Sequence, residues 1–290
     1  MGLSINQNIA AVNSYRNLSN TQNDLAKSLE KLSSGFRINR AADDAAGLAI
    51  SEGLRSQVGG LKVAARNAQD GISVVQTAEG ALTEVHSILQ RMRDLGVQAA
   101  NDSNNTEARA NITTEADSLQ KELGRIAAST NFNGTALLNG AGTLNFQVGA
   151  DGDANSAIAV DLTSANVTTV STGVTVNADE VAFAGAGVTV GVNFETHANA
   201  QKSITHIDNQ IEKVSTARAE LGAYQNRFEH TIKNINVAVE NLSASESRIR
   251  DTDMASEMVS FTRAQILSQA GTAMLAQANQ IPQGVLSLLR

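Results

Sequence analysis

The residues best placed to do chemistry are the acidic ones in "GADGDANSA". Asp151, Asp153 and Asn155 stand at positions 1, 3 and 5 of a calcium-loop pattern. Such a loop needs a glycine at its sixth position and a bidentate glutamate at its twelfth. Those positions hold Ser156 and Leu162. The stretch therefore reads as a hairpin turn. His86, His197, His206 and His230 form no H-x-x-x-H or H-E-x-x-H pair, and His197 and His206 are expected to be solvated near a helix start. Cysteine is absent, which excludes disulfides, thiolate metal sites and cysteine nucleophiles. No G-x-S-x-G, P-loop or separated carboxylate pair stands out. Ser and Asp read as helix caps and polar helix faces. The expectation is no enzyme, with no catalytic residue, metal ligand or cofactor.

The elements that carry these residues follow from composition and period. The chain has 290 residues, 42% hydrophobic and 18% charged, enough for one or two domains. Aromatics are 3% and tryptophan is absent, so the apolar share is Ala, Val, Leu and Ile. These small, uniform side chains suit helix–helix seams. A net charge of −7 argues against a nucleic-acid surface. No stretch reaches the roughly 20 apolar residues that span a bilayer, so no membrane insertion is expected. "MGLSINQNIAAVNSYRN" has neither a basic n-region nor a long apolar h-region, so no classical signal peptide is read there.

A helical frame surrounds a non-helical middle. Tyr15, Leu18, Gln22, Leu25, Leu29, Leu32 and Phe36 follow 3-4 spacing, the stripe of a helix facing a partner helix. Gly35 can end that helix, and Asp43 and Asp44 can start the next. Leu54, Leu61, Ala68, Val75, Leu82 and Leu89 then recur every seven residues. From 54 to 92 alone this rod is about 57 Å long. "NDSNNTEA" breaks it, and Ile112, Ala116, Leu119, Leu123 and Ile126 mark a shorter helix. From 131 to 195, Asn-Gly turns and the alternation in "TLNFQVGADGDANSAIAVDL" predict a hairpin followed by short strands or a loop at the distal tip. Ile207, Val214, Leu221, Phe228, Ile235, Leu242 and Ile249 form a second heptad rod, about 68 Å from 204 to 249. The last helix carries Leu267, Ala270, Met274, Ala278, Ile281, Val285 and Leu288, and Pro282, the only proline, is expected to kink it.

These patterns specify a mainly α fold: a long antiparallel coiled-coil bundle with a small β-hairpin region at the distal tip. Antiparallel rods bring both chain ends to one end of the molecule. A lone pair of terminal helices buries little surface and is marginal in water. Leu25, Leu29 and Leu32 on the first helix are therefore candidates for burial against another subunit. Leu267, Met274, Ile281, Val285, Leu288 and Leu289 are the candidates on the last. Two other stretches have two readings. "SSGFRINRAADDAAG" is a linker or an angle-setting joint, in which Arg37 and Arg40 could pair with Asp251, Asp253 or Glu257. "LQRMRDLGVQ" is a plain helix end, with Leu89 and Met92 on the seam, or a surface patch for subunit contact or receptor recognition.

The chain resembles bacterial flagellin at both ends. The N-terminal stretch "INQNIAAVNSYRNLSNTQNDLAKSLEKLSSGFRINRAADDAAGLAI" carries the resemblance, as do "LGAYQNRF", "SRIRDTDMASEM" and "AQILSQAGTAMLAQANQIPQGVLSLLR" near the C-terminus. It implies a structural subunit that self-assembles into the flagellar filament for motility. Residues 1–40 with 252–290 would form an inner coiled-coil domain lining the filament core, and 41–251 the rod domain. Only about 165–195 is left for an outer domain, as in a short flagellin. The resemblance further implies export through the flagellar apparatus without a cleaved signal peptide and an extracellular location. A cytosolic chaperone would hold the last helix, and the filament cap and hook-junction proteins would be partners. Arg91, Leu95 and Glu115 match the family's innate-receptor patch, with Asp94 where many recognised members have Glu. Val285, Leu286, Leu288, Leu289 and Arg290 resemble the segment sensed by the cytosolic inflammasome receptor. The alternatives are a hook–filament junction protein, told apart by its scarcity in sheared filaments, and a secreted coiled-coil adaptor, told apart by a discrete stoichiometric complex.

Overall fold

The computed structural model describes residues 8–140, 142–167 and 194–288, with side chains to residue 280. Among them are five helices: α1 Ile9–Ser34, α2 Ala45–Ala99, α3 Thr106–Ser129, α4 His197–Arg250 and α5 Met254–Leu288. Four short strands complete the set: β1 Asn131–Phe132, β2 Thr135–Ala136, β3 Thr143–Gln147 and β4 Ala157–Asp161. The chain divides into two compact units, residues 1–58 with 240–290 and residues 59–239.

The helix ends follow the local chemistry. The Asn8 side chain accepts from Ala11 N, and Gly35 closes α1 at φ 75°, donating its N–H to Lys31 O at 2.8 Å. Asp44, just before α2, accepts from Gly47 N at 2.8 Å, while Asp43 accepts from Asn39 N and Arg40 N. Asn105 and Asp253 cap α3 and α5 by accepting from Ala108 N and Ala255 N. α5 continues through Pro282 to Leu288 instead of ending there.

In the unit of residues 59–239, the heptad positions are the core. Val75, Leu82, Leu89 and Met92 of α2 and Ile207, Val214, Leu221 and Phe228 of α4 are all buried. α3 returns along α2, so that Arg91 meets Glu115 and Ala116 and Leu123 join the core. Phe228 packs edge-on against Phe146 of β3, centroids 5.5 Å apart, and a Cβ on Gly71 would stand 2.8 Å from its ring. A side chain cannot be fitted there without moving the ring.

β3 and β4 form the expected antiparallel hairpin, with Phe146 opposite Ile158. Ile158 and Val160 face the core, and the alternate residues of β4 are less buried. β1 and β2 form a second hairpin around Asn133 (φ 49°) and Gly134 (φ 82°), the two positive-φ residues that a type I′ turn requires. The position of the β region differs from the sequence expectation. The β3–β4 turn reaches the end of this unit near Gly60 and Ala238, where a Cβ on Gly60 would stand 2.9 Å from that of Ala150. The opposite end holds Ala100 O, 2.6 Å from His197 Nδ1. The reason is the return of α3: it carries the chain back before the strands begin, and the apolar face of β4 then covers the flank of the rods. The expected strands or loop of about 165–195 lie almost entirely outside the described residues.

Candidate functional site

The other unit contains α1 and α5, packed antiparallel. Asn8 Nδ2 donates to Ala278 O at 2.7 Å at one end of the pair, and Lys31 and Glu257 meet at 3.9 Å at the other. The least exposed positions of α1 are Ala11, Ser14, Leu18, Thr21, Leu25, Ser28 and Leu32. Those of α5 are Glu257, Phe261, Ala264, Ser268, Gly271, Leu275 and Ala278. Both sets follow 3-4 spacing, so this is a heptad seam. It is built largely of small residues, which allow the backbones to come close. A Cβ on Gly271 would stand 3.2 Å from Leu18 Cδ1.

The stripe expected to face a partner helix is therefore split. Leu18, Leu25 and Leu32 turn into the seam, buried or half-buried. Tyr15, Gln22 and Leu29, the alternate members, face outward, and Phe36, past the end of α1, packs against the Arg250 guanidinium. α5 divides in the same way, with Ala278 inward and Leu267 and Met274 outward. The physical reason is width. A seam this narrow accepts two adjacent heptad rows from each helix, many of them small residues, and leaves no room for the next row. Leu29, Leu267 and Met274 keep 56%, 51% and 63% of their surface exposed, an unusual cost for large apolar side chains. Ile9, Val12, Val259 and Ile266 are exposed beside them. The side chains of Ile281, Val285, Leu288 and Leu289 lie outside the described residues.

The joint in this unit departs from the expected charge pairing. Arg37 does not meet Asp251, Asp253 or Glu257: its guanidinium donates to Ile249 O at 2.7 Å. Arg40 pairs with Glu30 at 2.9 Å, because α1 ends beside it. The backbone forms the connection instead. Arg37 N donates to Arg250 O at 2.6 Å and Thr252 N donates to Gly35 O at 3.0 Å, an antiparallel bridge between Phe36 and Asp251. The helices end on both sides, which leaves these amides and carbonyls without partners inside a helix, so they pair with each other. Sequence reasoning found the joint but not this bridge, since backbone pairing leaves no side-chain signature.

In the unit of residues 59–239, Arg91 makes two bonds to Glu115, at 2.9 and 2.6 Å, with both side chains half exposed. Leu95, one turn further along α2, is fully buried in the core. Arg93 pairs with Asp208 at 2.6 Å. His206 is half-buried, not solvated, with Nε2 2.8 Å from Gln210 Nε2. Burial, then the Lys213 charge, lowers its pKa from the ordinary value. The Asp151–Asn155 stretch forms the β3–β4 turn, where Ser156 N donates to Asp153 O.

Comparison with known proteins follows this geometry. The family described as bacterial flagellin N-terminal helical region matches residues 5–143, and its C-terminal counterpart matches residues 204–289. The chain is 52% identical over 287 residues to a flagellin of Halalkalibacterium halodurans, covering 99% of each. It is 47% identical over 308 residues to a flagellin of Bacillus subtilis, again covering 99% of each. A putative flagellar hook-associated protein from Vibrio parahaemolyticus has a similar fold, with TM-score 0.58 and 15% identity. That match covers 72% of this chain and 100% of the other, and the likeness is in fold alone. No helix among the described residues is long and apolar enough to cross a membrane. Matched at both terminal regions and along the whole length of its relatives, the chain belongs to the bacterial flagellin family and is a structural subunit of the flagellar filament.

Proposed function

We propose that the outward faces of α1 and α5 are the contacts that build the filament core. Residues 1–40 with 252–290 act as the inner domain and 41–251 as the rod domain around it. The observation that carries this reading is the division of each stripe: one set of positions fills the α1–α5 seam while Leu29, Leu267 and Met274 stay exposed. Burying one Leu or Met contributes about 1.5–3 kcal/mol, so Leu29, Leu267 and Met274 supply a driving force for adding a subunit. By spacing, Ile281 and Leu288 extend the row of Leu267 and Met274, while Val285 and Leu289 follow the rows of Ala278 and Leu275 beyond the seam. The contact is heterologous, since head-to-tail interfaces that do not close give filaments.

The finer partners belong to the same reading. The flagellar export apparatus carries the chain out, a cytosolic chaperone holds its last helix beforehand, and the cap and hook-junction proteins receive it. Host receptor contact at the Arg91–Glu115 pair uses the two half-exposed side chains, while the buried Leu95 contributes to the core of the helix that carries Arg91.

The test is seeded polymerisation of Leu29→Asp and Leu267→Asp variants. Both are expected to keep wild-type helicity by circular dichroism and to lose sedimentable filaments. Normal filaments from both would overturn the proposal.

A further inference from the structure

The chain has five methionines, and their distribution is uneven. Met92 is fully buried in the rod core, with 0% exposure. Met254 and Met258, in the first turns of α5, are 47% and 49% exposed, and Met274 is as open as the leucine row that it continues. Met258 lines a groove of about 520 Å³ with Val259, Thr262, Arg263, Ile266 and Leu267. Met274 follows Leu267 by one heptad, on the same flank of the helix. Among the described residues the exposed thioethers are thus concentrated on α5, whose other large exposed apolar side chains are Val259, Ile266 and Leu267.

We propose that Met254, Met258 and Met274 are a reversible oxidation site that controls whether a subunit can enter the filament. The inference rests on the assembly reading above. The oxidant is a peroxide. The thioether sulfur is oxidised by two electrons and takes one peroxide oxygen as the S–O bond forms. The O–O bond breaks, and hydrogen peroxide leaves as water. Each event replaces a flexible apolar side chain by a polar sulfoxide. On a face that must be dehydrated to assemble, the sulfoxide oxygen becomes a buried acceptor without a partner, and the sulfur's dispersion contacts are weakened. Methionine sulfoxide reductases reverse the change. Burial spares Met92, so the rod keeps its fold while the assembly face is altered. The unassembled chain is the sensitive form.

The experiment treats the unassembled full-length chain with hydrogen peroxide, maps sulfoxides by peptide mass spectrometry and measures seeded polymerisation by sedimentation. The comparison chain carries Met254→Leu, Met258→Leu and Met274→Leu together. The expected result is oxidation at the three α5 positions with Met92 spared. The wild-type critical concentration rises ~10-fold or more, and reductase treatment restores it. The leucine variant polymerises equally with and without peroxide. Oxidation of Met92 as fast as the others, or full polymerisation of a chain carrying all three sulfoxides, overturns the inference. Failure of the untreated wild-type chain to polymerise counts instead against the assembly reading, and the mass map still decides the selectivity.

Discussion

The Arg250 guanidinium lies 4.7 Å from the centroid of the Phe36 ring, next to the backbone bridge between Phe36 and Asp251. The same guanidinium donates to Glu52 Oε1 at 2.9 Å and is largely shielded from solvent. One side chain therefore contacts α2, the segment after α1 and its own helix end within one unit. A desolvated cation–π contact contributes about 0.5–2 kcal/mol. It fixes the two helix connections, at Gly35 and at Asp251–Asp253, against each other.

Arg250→Ala is expected to loosen this joint by about 1–2 kcal/mol. Hydrogen exchange at the amides of Arg37 and Thr252, which bridge the joint, would then speed up by ~10-fold, while amides of α3 stay as protected as before. Unchanged exchange at both amides would show that the guanidinium contributes nothing there.

Gly71→Ala forces a methyl to 2.8 Å from the Phe228 ring. Phe228 is fully buried and engaged with Phe146, so it has little room to move. The substitution should destabilise the unit by about 1–3 kcal/mol, read as a lower urea midpoint. Adding Phe228→Leu to the same chain should recover part of the loss.

Arg91→Ala and Leu95→Ala should separate surface chemistry from packing. The Arg91–Glu115 pair is half exposed, and its loss should cost less than about 1 kcal/mol. Removal of the buried Leu95 side chain should cost about 2–5 kcal/mol. A receptor assay on both variants tests the proposed host contact: on that proposal Arg91→Ala should lower recognition at wild-type stability, whereas any loss in Leu95→Ala should follow its urea midpoint.

His206 and Asp43 are two of the groups that make stability depend on pH. His206 is held neutral, first by burial and then by Lys213, so its folded pKa lies below the ordinary 6.5. Its side-chain neighbours are Asn209, Gln210, Glu212, Lys213 and Thr216 on α4, and Thr163, Ser164 and Asn166 after β4. The unfolded chain takes up the proton first as pH falls. The contribution is fully present above 6.5 and is lost as pH descends through the folded value. Asp43 acts at a lower pH: the amides of Arg40 and Asn39 lower its pKa from 3.8, and its contribution disappears as pH falls below that value. Urea midpoints from pH 7 to 5 should decline less steeply in His206→Gln than in wild type. Parallel curves would exclude the histidine as a source of the slope.

The long rods were legible in sequence because heptad spacing repeats far beyond any alternative. Val75, Leu82 and Leu89 are core residues, as are Val214, Leu221 and Phe228. Gly35, Asp44 and the Asn133–Gly134 pair mark ends and turns through their own backbone chemistry, so neighbours did not need to be known. The family was legible too, from the two terminal stretches. The seam of α1 and α5 was less so. Its stripe reads as one apolar face, but Ser14, Thr21 and Ser28 proved to be seam positions while Tyr15 and Leu29 did not. Hydrophobicity ranks leucine and tyrosine above serine, and only the distance between backbones decides which size fits.

The sequence by itself determined the helical frame, the hairpin, the turns and the membership of the flagellin family, because these rest on period, local backbone preference and matched stretches. The tertiary structure decided which half of each terminal stripe faces outward, where the β region lies along the rods, and that Arg37 bonds a backbone carbonyl instead of a carboxylate. Those outcomes depend on how closely two helices approach and on where α3 returns the chain. Both are properties of packing between elements distant in sequence.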